Sequence, residues 1–196
     1  DDFVGRCARI DNMGLDNDSG QSIAMFAGVV DEAGLKPFHP SKDRLGIKRP
    51  FVELAYGRLR IANIYVGRPR NLSHQEFLQT GFSYRKAVDW RNVLALTFSF
   101  IKSHGGWQAA WLTMRIQLTL MLSRGKGSWY WRLRKGNTQA RVEKSLSEVL
   151  GGPVKMVLTP YGGLSLDVDD QEDFRILDAC YKDWAKITAA IDSNSR

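Results

Sequence analysis

Two aspartates near the C-terminal end of the chain, Asp167 and Asp169, have the spacing of a metal site. They belong to the segment LSLDVDDQEDFRIL (164–177), whose alternating apolar residues are typical of a half-buried strand. Residues two positions apart on a strand share a face, so the two carboxylates would repel each other there. A divalent cation relieves such repulsion, and magnesium prefers hard oxygen ligands. The segment therefore predicts a Mg²⁺ site at Asp169, with Asp167 beside it.

The residues that follow the aspartates predict a helix. Asp170 suits an N-cap, and Asp173 stands where a capping box places its acidic residue. The alternative for these two residues is that they serve only as caps. Apolar residues then recur at helical spacing: Phe174, Leu177, Tyr181, Trp184, Ile187 and Ile191. A strand that ends where a helix begins is a place where ligands collect in α/β sheets.

Asn63 is a further candidate for binding. It interrupts the β-rich run RIANIYV (60–66), in a segment that predicts a hairpin over 51–68 with its turn near Gly57. An asparagine at the edge of a buried strand needs hydrogen-bond partners, which the protein or a ligand can supply. The structural alternative is that Asn63 occupies a turn or a bulge.

The remaining elements indicate a layered α/β protein. The sequence predicts loop over 1–22 and helices over 23–33, 73–87, 89–102, 107–122 and 138–150. A strand over 154–159 leads through a turn to the strand 164–168. The order helix, strand, turn, strand, helix is typical of α/β layers.

A basic, Trp-rich segment lies between these elements. Residues 123–136, SRGKGSWYWRLRKG, interleave aromatic rings with cations. One interpretation is a patch that contacts the interface of an anionic membrane or another subunit. Another is nucleic-acid binding by stacking and phosphate contacts, although the sequence contains no recognised nucleic-acid-binding motif. The third is a solvated loop whose aromatics return to the core. The patch candidates are Arg124, Lys126, Trp129, Trp131, Arg132 and Arg134.

Composition narrows the class of protein. The 196 residues are 43% hydrophobic and 25% charged, which is ordinary for a globular protein, and the net charge is +7. Such a charge favours an anionic partner. Cys7 and Cys180 have no motif spacing, so a disulfide framework or a cysteine zinc site is not expected. Cysteine usage favours a reducing compartment, and we expect a cytoplasmic protein with a capacity for membrane association.

Three blocks of sequence occur in a recognisable order. The first is YGRLRIANIY (56–65), followed by Arg68. The second is an apolar helical insert at about 88–135 with the helix after it, over 137–151. The third is the closing block DVD (167–169). Together the blocks cover about residues 51–180, and they resemble the bacterial nucleotidyltransferases related to the molybdenum-cofactor guanylyltransferase (MobA-like NTP transferases).

The resemblance implies a fold and an activity. It implies an α/β fold of the glycosyltransferase-A type, with a mixed sheet and helices on both faces. It implies that a nucleoside triphosphate is joined to a phosphorylated acceptor (a sugar, polyol or cofactor phosphate) with release of pyrophosphate. In that scheme Asp169 and Asp167 hold Mg²⁺, and Asn63 and Arg68 bind substrate.

One element of the family pattern is missing from the sequence. The Gly-rich run that normally opens the domain and holds the triphosphate does not occur. We therefore expect residues 51–196 to correspond to the C-terminal, acceptor-side part of such a domain, after a poorly defined segment 1–50. The non-enzymatic alternative is a membrane-peripheral or partner-binding module that uses residues 107–135.

Overall fold

A mixed sheet of four strands organises the protein. The computed structural model describes residues 2–14, 22–74 and 106–194. The strands are β1 (Met25–Asp31), β2 (Val52–Leu54), β3 (Gly57–Gly67) and β4 (Val154–Leu158), in the spatial order β2-β3-β1-β4. β3 is antiparallel to β1 and β2, and β4 is parallel to β1. The predicted α/β class and mixed sheet are confirmed, while the glycosyltransferase-A likeness stays a prediction.

Six α-helices accompany the sheet in the described part of the chain. They are α1 (Asp2–Gly14), α2 (Glu32–Leu35), α3 (Gly106–Leu122), α4 (Ser128–Lys135), α5 (Gln139–Leu150) and α6 (Gln171–Asn194). The predictions of α3, α5, α6, β4 and the β2–β3 hairpin are confirmed. The predicted helix over 89–102 lies outside the described residues. So does the predicted helix over 73–87, except for its first two residues. No helix in the described ranges is long and apolar enough to cross a membrane.

The predicted helix over 23–33 is wrong, because this stretch contains β1, an inner strand of the sheet. The five residues 26–30 are all buried, since α1 packs on one side of the sheet and residues near Phe51 on the other. A strand that is covered on both faces is apolar at every position. A continuous apolar run cannot be told from a buried helix by its periodicity alone.

The predicted loop over 1–22 is also wrong where the chain is described, because residues 2–14 form α1. Phe3, Cys7 and Ile10 recur at helical spacing and pack with Phe26 and Val157. The many polar residues of this segment favoured a loop prediction, so the short apolar stripe was not recognised as helical. The described residues of the segment 1–50 include α1 and β1, one of the two inner strands of the sheet.

The predicted strand over 164–168 is wrong as well. Residues Gly162–Ser165 form a 3₁₀ turn, closed by the Ser165 hydroxyl on the Gly162 carbonyl at 2.8 Å, and the chain then runs on without a strand partner. Arginine side chains bind the carbonyls that a neighbouring strand would otherwise bind. Arg60 donates to Ser165 O at 2.8 Å, and Arg49 donates to Asp167 O.

Candidate functional site

A bulge in β3 places the residue on which the candidate site is centred. On either side of the bulge Ala27 pairs with Tyr65 and Val29 pairs with Ile61, so the three residues 62–64 of β3 face Gly28 alone. A Cβ atom on Gly28 would lie 2.4 Å from Cγ2 of Ile64 and 3.3 Å from Cβ of Ala62. Glycine is therefore required opposite the bulge. Bulges commonly re-aim a side chain beside a functional site.

Asn63 is the middle residue of this bulge. Its neighbour Ala62 is fully buried, whereas Asn63 itself is exposed. The Asn63 side-chain amide donates a hydrogen bond to Oδ1 of Asp167. Asn63 is thus a bulge residue, as one interpretation of the sequence had it. It also binds one of the two aspartates of the predicted metal site.

Asp167 is held from a second side by Arg60. The Arg60 guanidinium lies 3.3 Å from Oδ2 of Asp167, and it donates to Ser165 O and Pro50 O. The Asp167 and Arg60 side chains are 18% and 16% exposed, so this ion pair is largely withdrawn from water. Charge pairs in such surroundings are screened less than surface pairs. Asp167 is therefore fixed in position by an amide and a guanidinium.

A second arginine, Arg49, joins the aspartates that follow. It donates to the Asp173 carboxylate, and its Nη2 lies 3.4 Å from Oδ2 of Asp169. Burial by itself would raise the pKa of the Asp173 carboxyl, but hydrogen bonds from Arg49 and from the backbone of Asp169 and Asp170 hold that pKa below its usual value. The Arg49 side chain is only 14% exposed. It ties the segment before β2 to the start of α6.

The predicted start of α6 is confirmed. The Asp170 side chain accepts from the backbone N–H of Asp173 at 2.8 Å, which is the N-cap bond. Asp173 accepts in return from the N–H of Asp169 at 3.1 Å, one residue earlier than a standard capping box. Capping therefore accounts for Asp170 and for part of the contacts of Asp173. It does not involve the side chain of Asp169.

We call six residues the Asp167 cluster: Arg49, Arg60, Asn63, Asp167, Asp169 and Asp173. The cluster holds three carboxylates and two guanidinium groups, so the repulsion expected between neighbouring aspartates is already offset by arginines. Sequence reasoning missed both arginines. Five acidic residues within 167–173 were the signal, because so many carboxylates in one short stretch require cations from elsewhere in the fold.

The donor chemistry of the cluster is compatible with magnesium at one position. The Asp169 side chain is 68% exposed, whereas Asp167 is engaged by Asn63 and Arg60. In the described part of the chain no group of three or more His, Cys, Asp or Glu side chains could hold a metal ion. Mg²⁺ often takes only one or two protein carboxylates, with water and substrate phosphates as its other ligands. A site of that kind fits Asp169, and the cofactor stays a prediction.

Arg68, the other predicted substrate-binding residue, lies outside the Asp167 cluster. Its guanidinium meets the Asp11 carboxylate with two contacts, of 3.0 and 2.8 Å, and also donates to Ile23 O. The hydrogen bond from Arg68 lowers the pKa of the Asp11 carboxyl. This pair fastens α1 to the end of β3. The structure thus brings Asn63, Asp167 and Asp169 together and places Arg68 at a different contact.

The basic, Trp-rich segment divides into residues that face the protein and residues that face outward. Tyr130 is buried and donates to Glu53 at 3.0 Å, and Arg134 donates to Leu54 O at 2.7 Å. The interpretation that aromatics return to the core holds for Tyr130. Arg124, Lys126, Trp129, Trp131 and Arg132 are exposed.

A sizeable concavity of the described structure lies elsewhere. It encloses about 830 Å³ between α1, the β2–β3 turn and β4, with Arg6, Val29, Leu59 and Leu158 in its lining. None of its lining residues belongs to the Asp167 cluster. The Asp167 cluster therefore lies beside the bulge and outside this concavity.

Comparisons with known proteins leave the identity of the chain open. No model of a protein family matches the sequence, and no curated protein matches it. A solved structure from Thermus thermophilus, described as a hypothetical transferase, aligns with 82% of this chain at a TM-score of 0.48 and 20% sequence identity. The chain spans 55% of the length of that protein. A likeness this weak leaves the function to be argued from the residues themselves.

Proposed function

We propose that this chain is the acceptor-side part of a nucleotidyltransferase, which joins a nucleoside triphosphate to a phosphorylated sugar, polyol or cofactor and releases pyrophosphate. The observation that supports the proposal is the hydrogen bond from Asn63 to Asp167. These two residues belong to different blocks of the family pattern that the sequence resembles. Their contact gives the two blocks a common site.

The proposed reaction needs positive charge and fixed hydrogen-bond donors around the phosphates. It does not need a nucleophilic side chain that forms a covalent intermediate. A phosphate oxygen of the acceptor attacks the α-phosphorus of the triphosphate in line with the departing pyrophosphate, so one P–O bond forms as another breaks. The carboxylates of the Asp167 cluster already neutralise Arg60 and Arg49, so positive charge for the phosphates would have to come from a cation at Asp169. Asn63, oriented by Asp167, offers an amide to an acceptor oxygen.

Magnesium belongs to the proposal through Asp169. Mg²⁺ bound there would neutralise charge on the phosphates of a bound substrate. The Asp169 side chain is 68% exposed, and its 3.4 Å contact with Arg49 is the longer of the two that Arg49 makes with carboxylates, so its removal should cost little stability. The metal role and the stability of the fold can therefore be tested separately in one variant.

The test is a thermal-shift screen with matched ligands. Sugar phosphates, glycerol phosphate and inositol phosphate are each compared with the unphosphorylated parent compound, with and without magnesium. We expect at least one phosphorylated compound to raise the melting temperature, because a ligand stabilises the state that it binds. The unphosphorylated parents should leave it unchanged.

The Asp169→Asn variant provides the matched control for the metal. We expect it to melt at the same temperature as the parent without ligand and to lose the magnesium-dependent part of the ligand-induced shift. Should no phosphorylated compound stabilise the parent chain in either condition, the proposed function is wrong. An unchanged magnesium effect in the variant would exclude Asp169 as the ligand.

A further inference from the structure

We propose that α3 and α4 form a docking surface for an anionic lipid membrane, independently of the proposed enzymatic function. The first observation is the outer side of α3. Trp107, Trp111, Met114, Leu118 and Met121 are all exposed and recur at intervals of three and four residues, which places them on one side of the helix. We call these five residues the outer face of α3.

The outer face of α3 differs from an ordinary surface helix. The opposite side of the helix is already buried against the protein, through Ala109, Leu112 and Thr119. A helix packed on one side normally presents polar residues on the other. Here Trp107 is 68% exposed and Met121 is 74% exposed. Contiguous exposed apolar side chains of this kind indicate an interaction site.

The charge around this face identifies its partner. From residue 106 to residue 142 the chain has no Asp or Glu and seven cations: Arg115, Arg124, Lys126, Arg132, Arg134, Lys135 and Arg141. An apolar surface with tryptophans and exposed cations matches the interface of a bilayer that carries anionic headgroups. A second copy of this chain would bring the same positive charges together, which disfavours self-association.

The structure separates the residues that hold the surface from those available to lipid. Arg115 donates to Leu133 O at 3.1 and 2.9 Å and so joins α3 to α4. Arg134 and Tyr130 bind the β2 strand, with Tyr130 on Glu53. These three side chains fix the two helices to the sheet. The side chains that would contact lipid are therefore the exposed ones, and Arg115, Tyr130 and Arg134 are not among them.

The exposed cations and tryptophan of the surface lie at the turn after α3 and on α4. Arg124 and Lys126 are in the turn, and Lys126 has a backbone φ of 45°. Arg132 lies 5.9 Å over the ring of Trp129, which is itself 67% exposed. Tryptophan and arginine in this arrangement are suited to headgroup depth. The leucine and methionine side chains on α3 suit acyl chains better than they suit stacking on nucleic-acid bases.

Vesicle sedimentation tests the proposal. We expect the chain to bind vesicles of phosphatidylcholine with phosphatidylserine, to bind pure phosphatidylcholine far more weakly, and to dissociate as salt is raised. A triple variant removes three of the exposed cations: Arg124→Gln, Lys126→Asn and Arg132→Gln. Asparagine is chosen at 126 because it tolerates positive φ. Each cation contributes about fivefold to partitioning, so the triple variant should bind about a hundredfold more weakly.

A matched variant controls for the overall charge of the protein. It removes three exposed cations from α6, through Arg175→Gln, Lys182→Gln and Lys186→Gln, and changes the net charge by the same amount. We expect it to bind vesicles like the parent. Trp129→Ser tests the apolar contribution and should also weaken binding. Far-UV circular dichroism and melting temperatures establish that every variant is folded.

Several results would overturn the proposal. The first is that the parent chain does not bind phosphatidylserine vesicles at low salt. The second is that the α6 variant loses as much vesicle binding as the triple variant, which would indicate general charge attraction. Tighter binding to a single-stranded oligonucleotide, lost in the same triple variant, would assign the surface to nucleic acid. A dimer in sedimentation velocity that dissociates on Trp111→Ser and Met114→Ser would assign it to a second copy of the chain.

Discussion

The side-chain amide of Asn63 donates a hydrogen bond to the carboxylate of Asp167, which lies 104 residues further along the chain. This contact depends on the bulge in β3, because the bulge presents Asn63 outward while Ala62 beside it stays in the core. Asp167 in turn is fixed by Arg60, and the segment around it by Arg49. The candidate site is therefore built by side chains that bind an irregular segment to the edge of a strand.

The bulge requires glycine at position 28. Gly28→Ala would place a Cβ atom 2.4 Å from the Ile64 side chain and 3.1 Å from the Ile64 carbonyl oxygen. We expect a loss of about 1–3 kcal/mol in the free energy of unfolding, as for other overpacked positions, measured by urea denaturation. Gly57→Ala is the control, because a Cβ at Gly57 meets nothing within 4 Å. Equal stability of the two variants would contradict the described bulge.

The Arg49–Asp173 contact predicts a pH dependence. The folded-state pKa of Asp173 lies below its usual value of 3.8, so its charged form stabilises the fold above that pH. This stabilisation is lost as the pH falls through the folded-state pKa. We expect Asp173→Asn to lower the free energy of unfolding by about 2 kcal/mol at pH 7. The difference from the parent should shrink below pH 3.8. A difference that is the same at about pH 3 as at pH 7 would show that the ion pair is not its origin.

Glu53 joins α4 to the sheet. Its carboxylate is 2% exposed and accepts from Arg58 and from Tyr130, both at 3.0 Å, with Arg134 at 3.7 Å. We expect Glu53→Gln to cost about 2 kcal/mol in the free energy of unfolding, because it removes the negative charge between these arginines. Tyr130→Phe removes one hydrogen bond and should cost about 1 kcal/mol.

The control for Glu53 is Glu172→Gln, a neutralised carboxylate in the exposed first turn of α6. It should change the free energy of unfolding by less than about 0.5 kcal/mol. If Glu53→Gln lowered the free energy of unfolding, measured by urea denaturation, no more than this control does, the Glu53 carboxylate would not hold α4 in place. The anchoring of the proposed membrane surface would then need another explanation.

The sequence also predicts how the chain treats nucleotide alone. Binding of a triphosphate normally uses backbone N–H groups of a Gly-rich turn with Arg and Lys beside it, and the sequence has no such run. We expect each nucleoside triphosphate with magnesium to bind no more tightly than about 1 mM in isothermal titration, with no release of pyrophosphate above background. A micromolar constant would reveal a phosphate site elsewhere, and residues 14–22 would be the first to examine.

Elements with a clear period or cap were predictable from the sequence. The apolar stripe of α5 at Val142, Leu146, Val149 and Leu150 was sufficient, as was the Asp170 cap of α6. β1 was not predictable, because burial on both faces removes the alternation that identifies a strand. Apolar and polar residues do alternate over 164–168, but the segment is not a strand because Arg49 and Arg60 bind its carbonyls. Partners more than 100 residues away cannot be recognised from a local sequence pattern.

The candidate site was predictable in part for the same reason. Asn63, Asp167 and Asp169 each broke or ended an apolar run, and such interruptions are visible in one sequence. The contact between Asn63 and Asp167 was not visible, because it depends on a bulge in β3 opposite Gly28 of a neighbouring strand. The arginines were missed because neither Arg60 on β3 nor Arg49 before β2 differs in sequence from a solvated cation until its carboxylate partner is known.

The most direct test of the account is the affinity of the Asn63–Asp167 site for a phosphorylated acceptor. It is measured by isothermal titration with the best compound of the thermal-shift screen. We expect Asn63→Ala to weaken binding by about ten- to a hundredfold, the value of one hydrogen bond to a charged group. Ile61→Thr, an exposed substitution on the same strand outside the Asp167 cluster, should bind like the parent. Equal affinities of Asn63→Ala and the parent chain, both folded, would contradict the assignment of this site.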